Sequence, residues 1–249
     1  MTLLNKEVFV CIDCETTGLD LEKDRIIEVA AVKFTITKNL ETYDTLVNPE
    51  IEISTESYQI HKITSEMVAK APITKEILPS LLIFIDNYPI MGHGINFDVE
   101  MIKKACERAN ISTSISNQPQ IDTLRLARHY GEASSNSLEN LARHFNVPFD
   151  QAHRALSDVL ANIEVFKHLI RNYQTIKQIY TTLSRPIKMK VMPLGKHKGR
   201  QFEEIPIQYL QWAANMDFDQ DLLYTIRFEL KRRKKGDRFT EASNPFHNL

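Results

Sequence analysis

Val8 to Ile12 is an unbroken apolar, largely β-branched run that stops at Asp13 and Glu15 and turns at Gly18. The pattern predicts a buried strand over about residues 7–13, delivering two carboxylates at its end. Strand side chains alternate between faces, so Asp13 and Glu15 point to the same side. A second strand is predicted from Arg25 to about Thr37, with Ile26, Ala30, Val32, Phe34 and Ile36 toward the core and Glu28 the exception among them. Its other face begins apolar (Ile27, Val29, Ala31) and ends polar (Lys33, Thr35, Thr37). Glu28 is expected to be an interior acid with a hydrogen-bonding or Arg partner rather than a metal ligand. A third strand, from about Glu41 to Val47, is stopped by Asn48-Pro49. Three successive strands with short turns predict an antiparallel meander.

The period then changes. Thr64-Ser65-Glu66 is a helix-cap signal, and Thr74 to Asn87 places Ile77, Leu81, Leu82 and Ile85 on one helical face. A short strand at about 90–92 breaks at Gly92 and Gly94 and opens a helix from about Phe97 to Ala109, which puts Asp98 in the first turn. A carboxylate there is favoured by the helix dipole. Gln120-Ile121 predicts a strand end leading through Asp122 into a helix over Thr123 to Tyr130, and Ser137 opens another through Phe145. The stretch Ala152-His153-Arg154-Ala155-Leu156-Ser157-Asp158 runs into a long helix that carries Asp158 and is patterned by Leu156, Val159, Leu160, Ile163, Phe166 and Ile170. Positions five apart on a helix diverge by about 140°. His153 is therefore expected on the loop before the helix that carries Asp158.

Pro186 ends the helical pattern and marks residues 184–189 as a linker between a domain over 1–183 and a small α+β module over 190–249. Lys190 to Phe202 predicts a hairpin around a glycine-flanked basic turn. Helices follow over Pro206 to about Ala214 and Asp219 to about Lys235. Leu222, Leu223, Ile226 and Leu230 should face inward, with Arg227, Lys231 and Lys234 or Lys235 outward. Tyr209 and Trp212 are expected in the core, because so small a module needs aromatic mass. Backbone amides of the turn, with Lys196, Lys198 and Arg200, are candidates for phosphate contact.

The formal net charge of −1 conceals an asymmetry. Residues 185–249 hold thirteen Lys or Arg against eight Asp or Glu, leaving eighteen against twenty-four for residues 1–184. A metal belongs with the acidic part and a polyanion with the basic part. The remaining composition is that of a soluble chain, and no apolar run approaches a membrane span, so no membrane partner and a cytoplasmic location are expected. Cys11 and Cys14 have the C-x-x-C spacing but fall on opposite faces of one predicted strand; with Cys106 they read as small buried side chains.

Two carboxylates a few Å apart at the edge of a core repel by several kcal/mol and need a cation or a proton. Asp13-Cys14-Glu15-Thr16-Thr17-Gly18, His93 through Asp98, and His153 with Asp158 five residues later together resemble the three motifs of the DEDDh 3′-to-5′ exonucleases. This is the class of the polymerase III proofreading subunit, ribonuclease T, oligoribonuclease and exonuclease X. Gly195-Lys196-His197-Lys198-Gly199, with Tyr209-Leu210-Gln211-Trp212, resembles the small module attached to exonuclease X-like members.

The resemblance implies a ribonuclease H-like α/β fold with a mixed five-stranded sheet flanked by helices. It implies two Mg²⁺ or Mn²⁺ ions on Asp13, Glu15, Asp98 and Asp158, and His153 as the general base. Thr16, His93 and Asn96 would contact the substrate strand. The family's second motif often has Asn directly after its His, where this chain has Gly94 and carries Asn96 instead. All-oxygen ligands agree with a hard cation rather than zinc. The expected activity is release of nucleoside 5′-monophosphates from single-stranded DNA or DNA 3′ ends in repair or proofreading, with replication or repair proteins as partners. RNA 3′ ends are the alternative, and a non-catalytic nucleic-acid-binding protein is a third.

Overall fold

The structure is a computed structural model that describes residues 3–133, 135–149 and 153–242, with side chains as far as 235; Ala152 of the third motif and residues 243–249 lie outside them. The chain divides into two units, Met1–Leu183 and Ser184–Leu249.

The first unit is built on a five-stranded sheet ordered β3-β2-β1-β4-β5. Strands β1 (Phe9–Thr16), β2 (Ile26–Phe34) and β3 (Asn39–Leu46) form the expected antiparallel meander. Helices α1 (Thr55–His61), α2 (Ser65–Val68) and α3 (Thr74–Ile85) follow. Strand β4 (Ile90–Gly92) pairs in parallel with β1 and leads into α4 (Asn96–Ala109). Strand β5 (Gln120–Asp122) pairs in parallel with β4 and runs directly into α5 (Thr123–Tyr130). Helices α6 (Leu138–Phe145), α7 (Ala155–Leu169) and α8 (Ile176–Leu183) complete the unit.

Register decides which residues share a face. In the β1–β2 pair, Phe9 stands opposite Phe34, Asp13 opposite Ala30 and Glu15 opposite Glu28. Odd positions of β1 and even positions of β2 therefore form one surface, and α7 packs on it. Phe166 of α7 meets Phe9 edge-on at 5.6 Å and Phe34 edge-on at 6.2 Å between ring centres. Val10, Ile12 and Cys14 face the opposite way, into a core shared with α3 and α4. All three cysteines are buried and free.

Strand β2 ends at Phe34, three residues before the predicted Thr37. Thr35 closes a tight turn instead: its N–H donates to the Lys38 carbonyl at 2.9 Å, and its hydroxyl accepts from the Lys38 N–H at 3.2 Å. A local hydrogen-bonding residue overrides a continuing alternation. Helices α1 and α8 have no counterpart among the sequence expectations. The first is set by its cap, Ser54 accepting from the Ser57 N–H at 3.1 Å, rather than by an apolar stripe.

The second unit has a core of Met189, Met192, Phe202, Ile205, Leu210, Ala213, Leu222 and Ile226. Helices α9 (Ile207–Ala213) and α10 (Gln220–Ala242) supply half of it. The predicted hairpin is reduced to one antiparallel bridge, Val191 with Gln201, around a 3₁₀ turn at Gly195–His197. The turn's amides are used internally: Lys198 donates to Gly195, Gly199 to Met192 and Arg200 to His197. Those N–H groups are therefore not free for the expected phosphate contact. Tyr209 packs against the core, but Trp212 does not enter it and is 51% exposed. The pitch of α9 turns Leu210 and Ala213 inward, which leaves Trp212 outside. Among the described residues no helix is long and apolar enough to cross a membrane.

Candidate active site

Strand alternation and one helix start assemble the acidic cluster. Asp13 and Glu15 project from β1 toward α7, whose first turn carries Asp158. One carboxylate oxygen from each of the three lies within 4.8 Å of the others. Asp98 comes from the first turn of α4 and is buried, its Oδ1 accepting from the Cys14 N–H at 3.0 Å. The backbone amide between the two β1 acids thus holds the fourth carboxylate in place.

The start of α7 is positioned from across the sheet. Arg154 is its N-cap and makes no side-chain cap. Glu28 supplies one from β2, with Oε2 accepting from the Ala155 N–H at 2.9 Å. The Arg154 guanidinium grips the same carboxylate, Nε at 3.1 Å from both oxygens and Nη2 at 2.6 Å from Oε1. Arg154 also donates its backbone N–H to Asp158 Oδ2 at 3.0 Å. The expected partner of Glu28 is thereby identified as Arg154, and the pair fixes the segment on which His153 and Asp158 are carried. His153 precedes the helix as expected, exposed and with a left-handed backbone, φ 66°.

Burial and crowding set the charge state. Burial, then the charges of Asp98, Asp158 and Glu15, holds Asp13 well above the usual carboxylate range. Burial and Asp158 push Glu15 up to about 7. Burial pushes Asp98 up to about 7 against the hydrogen bond from Cys14, and Asp158 to about 6 against the charge of His153. Such a cluster binds protons or a cation. Its donors are all carboxylate oxygens, which suits Mg²⁺ or Mn²⁺.

The loop after β1 is pinned by groups that the sequence pattern did not single out. The Thr17 carbonyl accepts from Ser54 Oγ at 3.0 Å and Ser57 Oγ at 2.7 Å, and Thr17 Oγ1 donates to Asp24 Oδ1 at 2.8 Å. Thr16 is buried beside it, its hydroxyl donating to the Gly18 carbonyl at 2.7 Å. His61, also missed, is buried at the end of α1 and accepts from the Ile63 N–H at 3.0 Å. Ser54 with Ser57 was the available signal, a capping spacing without an apolar stripe behind it.

The second motif splits. Asn96 is exposed at the first position of α4. His93 has both ring nitrogens engaged by its own chain, Nδ1 3.1 Å from Thr123 Oγ1 and Nε2 2.9 Å from the Asn136 carbonyl. Burial pushes its pKa down to about 4, so the ring is neutral and braces the loop. Gly94 follows at φ 83°, a conformation that suits glycine, and donates its N–H to Asp122 at 3.1 Å. Thr123 Oγ1 also lies 2.7 Å from Asn162 Oδ1, tying this loop to α7. Lys196, Lys198 and Arg200 are in the second unit, on its exposed turn.

The family described as Exonuclease matches residues 10–166, and a family described as "Putative quorum-sensing-regulated virulence factor" matches residues 181–226. The chain is 34% identical over 193 residues to the PolC-type DNA polymerase III of Caldanaerobacter subterraneus subsp. tengcongensis, which covers 75% of this chain and 14% of that protein. It is 35% identical over 183 residues to the Thermotoga maritima protein of the same name, covering 73% and 13%. The chain thus spans only a small part of the length of these curated relatives. Among solved structures it is similar to exonuclease X in complex with 5′ overhanging duplex DNA, at 26% identity and a TM-score of 0.55, covering 70% of this chain and 98% of that one. It shares the fold of E. coli exonuclease I in complex with a dT13 oligonucleotide, at 18% identity and a TM-score of 0.63, covering 72% and 44%.

Two outcomes follow from this geometry. Free carboxylates in the unfolded chain have pKa values near 4, whereas Glu15 and Asp98 stand at about 7 and Asp158 at about 6 in the fold. Between these values the folded state holds more protons than the unfolded one, so its stability falls as pH rises from about 4 to about 7. Thermal unfolding in EDTA should show that fall, and Mg²⁺ at pH 8 should reverse it; a melting temperature insensitive to Mg²⁺ at pH 8 counts against a cation site. The Glu28–Arg154 pair is asymmetric, 3% against 39% exposed at the side chains. Arg154→Ala strands a buried carboxylate and should cost about 3 kcal/mol, more than Glu28→Gln, which leaves an arginine that reaches water. Urea unfolding of both variants measures the order.

Proposed function

We propose that this chain, which belongs to the DEDDh family of 3′-to-5′ exonucleases, shortens DNA from its 3′ end and releases nucleoside 5′-monophosphates. The convergence of Asp13, Glu15 and Asp158 within 4.8 Å carries this reading, with Asp98 beside them and an exposed His153 on the adjoining loop. Two Mg²⁺ or Mn²⁺ ions held by these four carboxylates would activate the attacking water, stabilise the departing 3′ oxygen and offset phosphate charge. Asp13 is central to the set, since it feels Asp98, Asp158 and Glu15 together.

His153 takes the proton of the attacking water. An imidazole is suited to this near neutral pH, and a loop position leaves it free to approach the scissile phosphate when a strand binds. Glu28 and Arg154 set that loop by holding the residue next to it. The pinned loop at Thr16 offers backbone to the terminal nucleotide, and Asn96 faces the strand beside Asp98. His93 acts one step back, by holding the Gly94 turn. Residues 1–183 form the catalytic domain and the second unit a nucleic-acid-binding module; the segment 184–189, expected as a linker, is built into that second unit, with Met189 in its core and the Ile187 and Met189 N–H groups donating to Asp221 and Thr225 of α10. The physiological setting is DNA repair or proofreading in the cytoplasm, alongside replication or repair proteins.

The test uses 3′-labelled and 5′-labelled single-stranded DNA and RNA of one sequence, with Mg²⁺, Mn²⁺ or EDTA. The expected result is immediate mononucleotide release from the 3′-labelled DNA, stepwise shortening of the 5′-labelled strand, and no reaction in EDTA. Asp13→Ala should reduce turnover by at least about a thousandfold, some 4 kcal/mol of transition-state stabilisation, while DNA binding persists. Faster hydrolysis of RNA would reassign the substrate, and turnover surviving in Asp13→Ala would refute the site.

A further inference from the structure

In the second unit one large aromatic ring stays out of the core. Trp212 is 51% exposed on α9, a helix without a charged residue. Its outward neighbours Gln208, Gln211 and Asn215 are exposed, uncharged amides. The indole is not isolated: its ring lies 5.3 Å from that of Tyr209, and Tyr209 meets His197 edge-on at 4.5 Å. His197 belongs to the 3₁₀ turn Gly195–His197 and is buried. Three rings in contact therefore connect the exposed indole to the basic turn. Gly195 lets that turn sit so close, since at φ 71° its missing Cβ would come within 2.9 Å of the Tyr209 hydroxyl.

Lys196, Lys198 and Arg200 project from this turn and are exposed, and among the described residues none of them is paired with an acid. A π face beside unpaired cations, on a helix that itself carries no acid, has one natural complement. A single strand presents both unstacked bases and a regular row of phosphates, whereas a duplex keeps its base faces against each other.

We propose that Trp212 and the Lys196–Arg200 turn form a docking surface for single-stranded DNA, with a base stacked on the indole and adjacent phosphates against the three cations. Every base has a π face and every nucleotide a phosphate, so stacking on the indole with phosphate contact at the turn makes binding tolerant of sequence. The choice of DNA rests on the proposed exonuclease function; the surface itself rests on Trp212 and the turn.

The sequence contains a single tryptophan, so emission excited at the red edge of the absorption band, where its eight tyrosines do not absorb, reports on Trp212 alone. The experiment titrates full-length Asp13→Ala protein in EDTA with oligothymidylate, following tryptophan emission and, in parallel, the anisotropy of a labelled oligonucleotide. The expected result is saturable quenching with the same midpoint as the anisotropy, shifting to weaker binding as salt rises. A duplex of equal length should leave the emission unchanged. Trp212→Ala and the triple variant Lys196→Ala, Lys198→Ala, Arg200→Ala should each weaken binding about tenfold, and Trp212→Phe, which keeps a stacking face, should retain affinity. Unchanged emission while the oligonucleotide is bound overturns the proposal, as does equal quenching by duplex; stronger quenching by oligouridylate overturns the choice of DNA. None of these readouts needs hydrolysis, so failure of the exonuclease reading would show separately, as absent turnover by the unmutated chain.

Discussion

Mutual repulsion among carboxylates is the constraint around which the first unit is arranged. Asp13, Glu15, Asp98 and Asp158 are brought together from β1, α4 and α7, and burial raises the pKa of every one of them. Left alone, such a group would push its elements apart or take up protons. The fold opposes this with neutral and paired contacts set just behind the cluster. The Cys14 amide holds Asp98, the Arg154 amide holds Asp158, and Glu28 caps the helix from which Asp158 projects. The large apolar packing of Phe9, Phe34 and Phe166 lies on the same face of the sheet as Asp13. Stability is thus concentrated next to the place where function requires it to be given up.

This division explains what was legible in the sequence. The meander, the two parallel strands and the principal helices could be traced because each buries an alternating or helical apolar pattern. Asp13 and Glu15 stand out because they end an apolar strand, where a charge is conspicuous, whereas Asp98 and Asp158, each in the first turn of a helix, are picked out by the motifs they share with the DEDDh exonucleases. What escaped was held by single hydrogen bonds. Helix α1 depends on Ser54 and Ser57, whose hydroxyls also reach back to Thr17, a contact between residues far apart in the chain. The premature end of β2 depends on the hydroxyl of Thr35. His93 looked like a substrate contact because it lies in the motif. Only tertiary structure reveals that Thr123 and Asn136 have already taken its nitrogens. Trp212 failed for a different reason: its size argued for burial, while the pitch of a seven-residue helix, already anchored by Leu210 and Ala213, decided otherwise.

The two units present opposite charge to the polyanionic ligand proposed for them. The first gathers negative charge, which under the proposed function cations would offset before a phosphate approaches. The second carries its own positive charge on a turn whose backbone is already satisfied, so nothing there has to reorganise before a phosphate arrives. Ionic strength acts on each differently, since exposed lysines are screened over about a Debye length while a partly buried carboxylate cluster is not.

The Glu28–Arg154 pair also has a history implied in it. Glu28 is buried on β2 and Arg154 stands 126 residues later, yet neither does its work without the other. A lineage that lost the arginine first would carry a stranded charge beneath its active site, and one that lost the glutamate first would lose the cap on α7. Replacement of the pair by two apolar residues is less costly than loss of the arginine alone, because the effects of contacting residues do not add. Selection should therefore keep both or exchange both, and the two positions should pass through descent as one character.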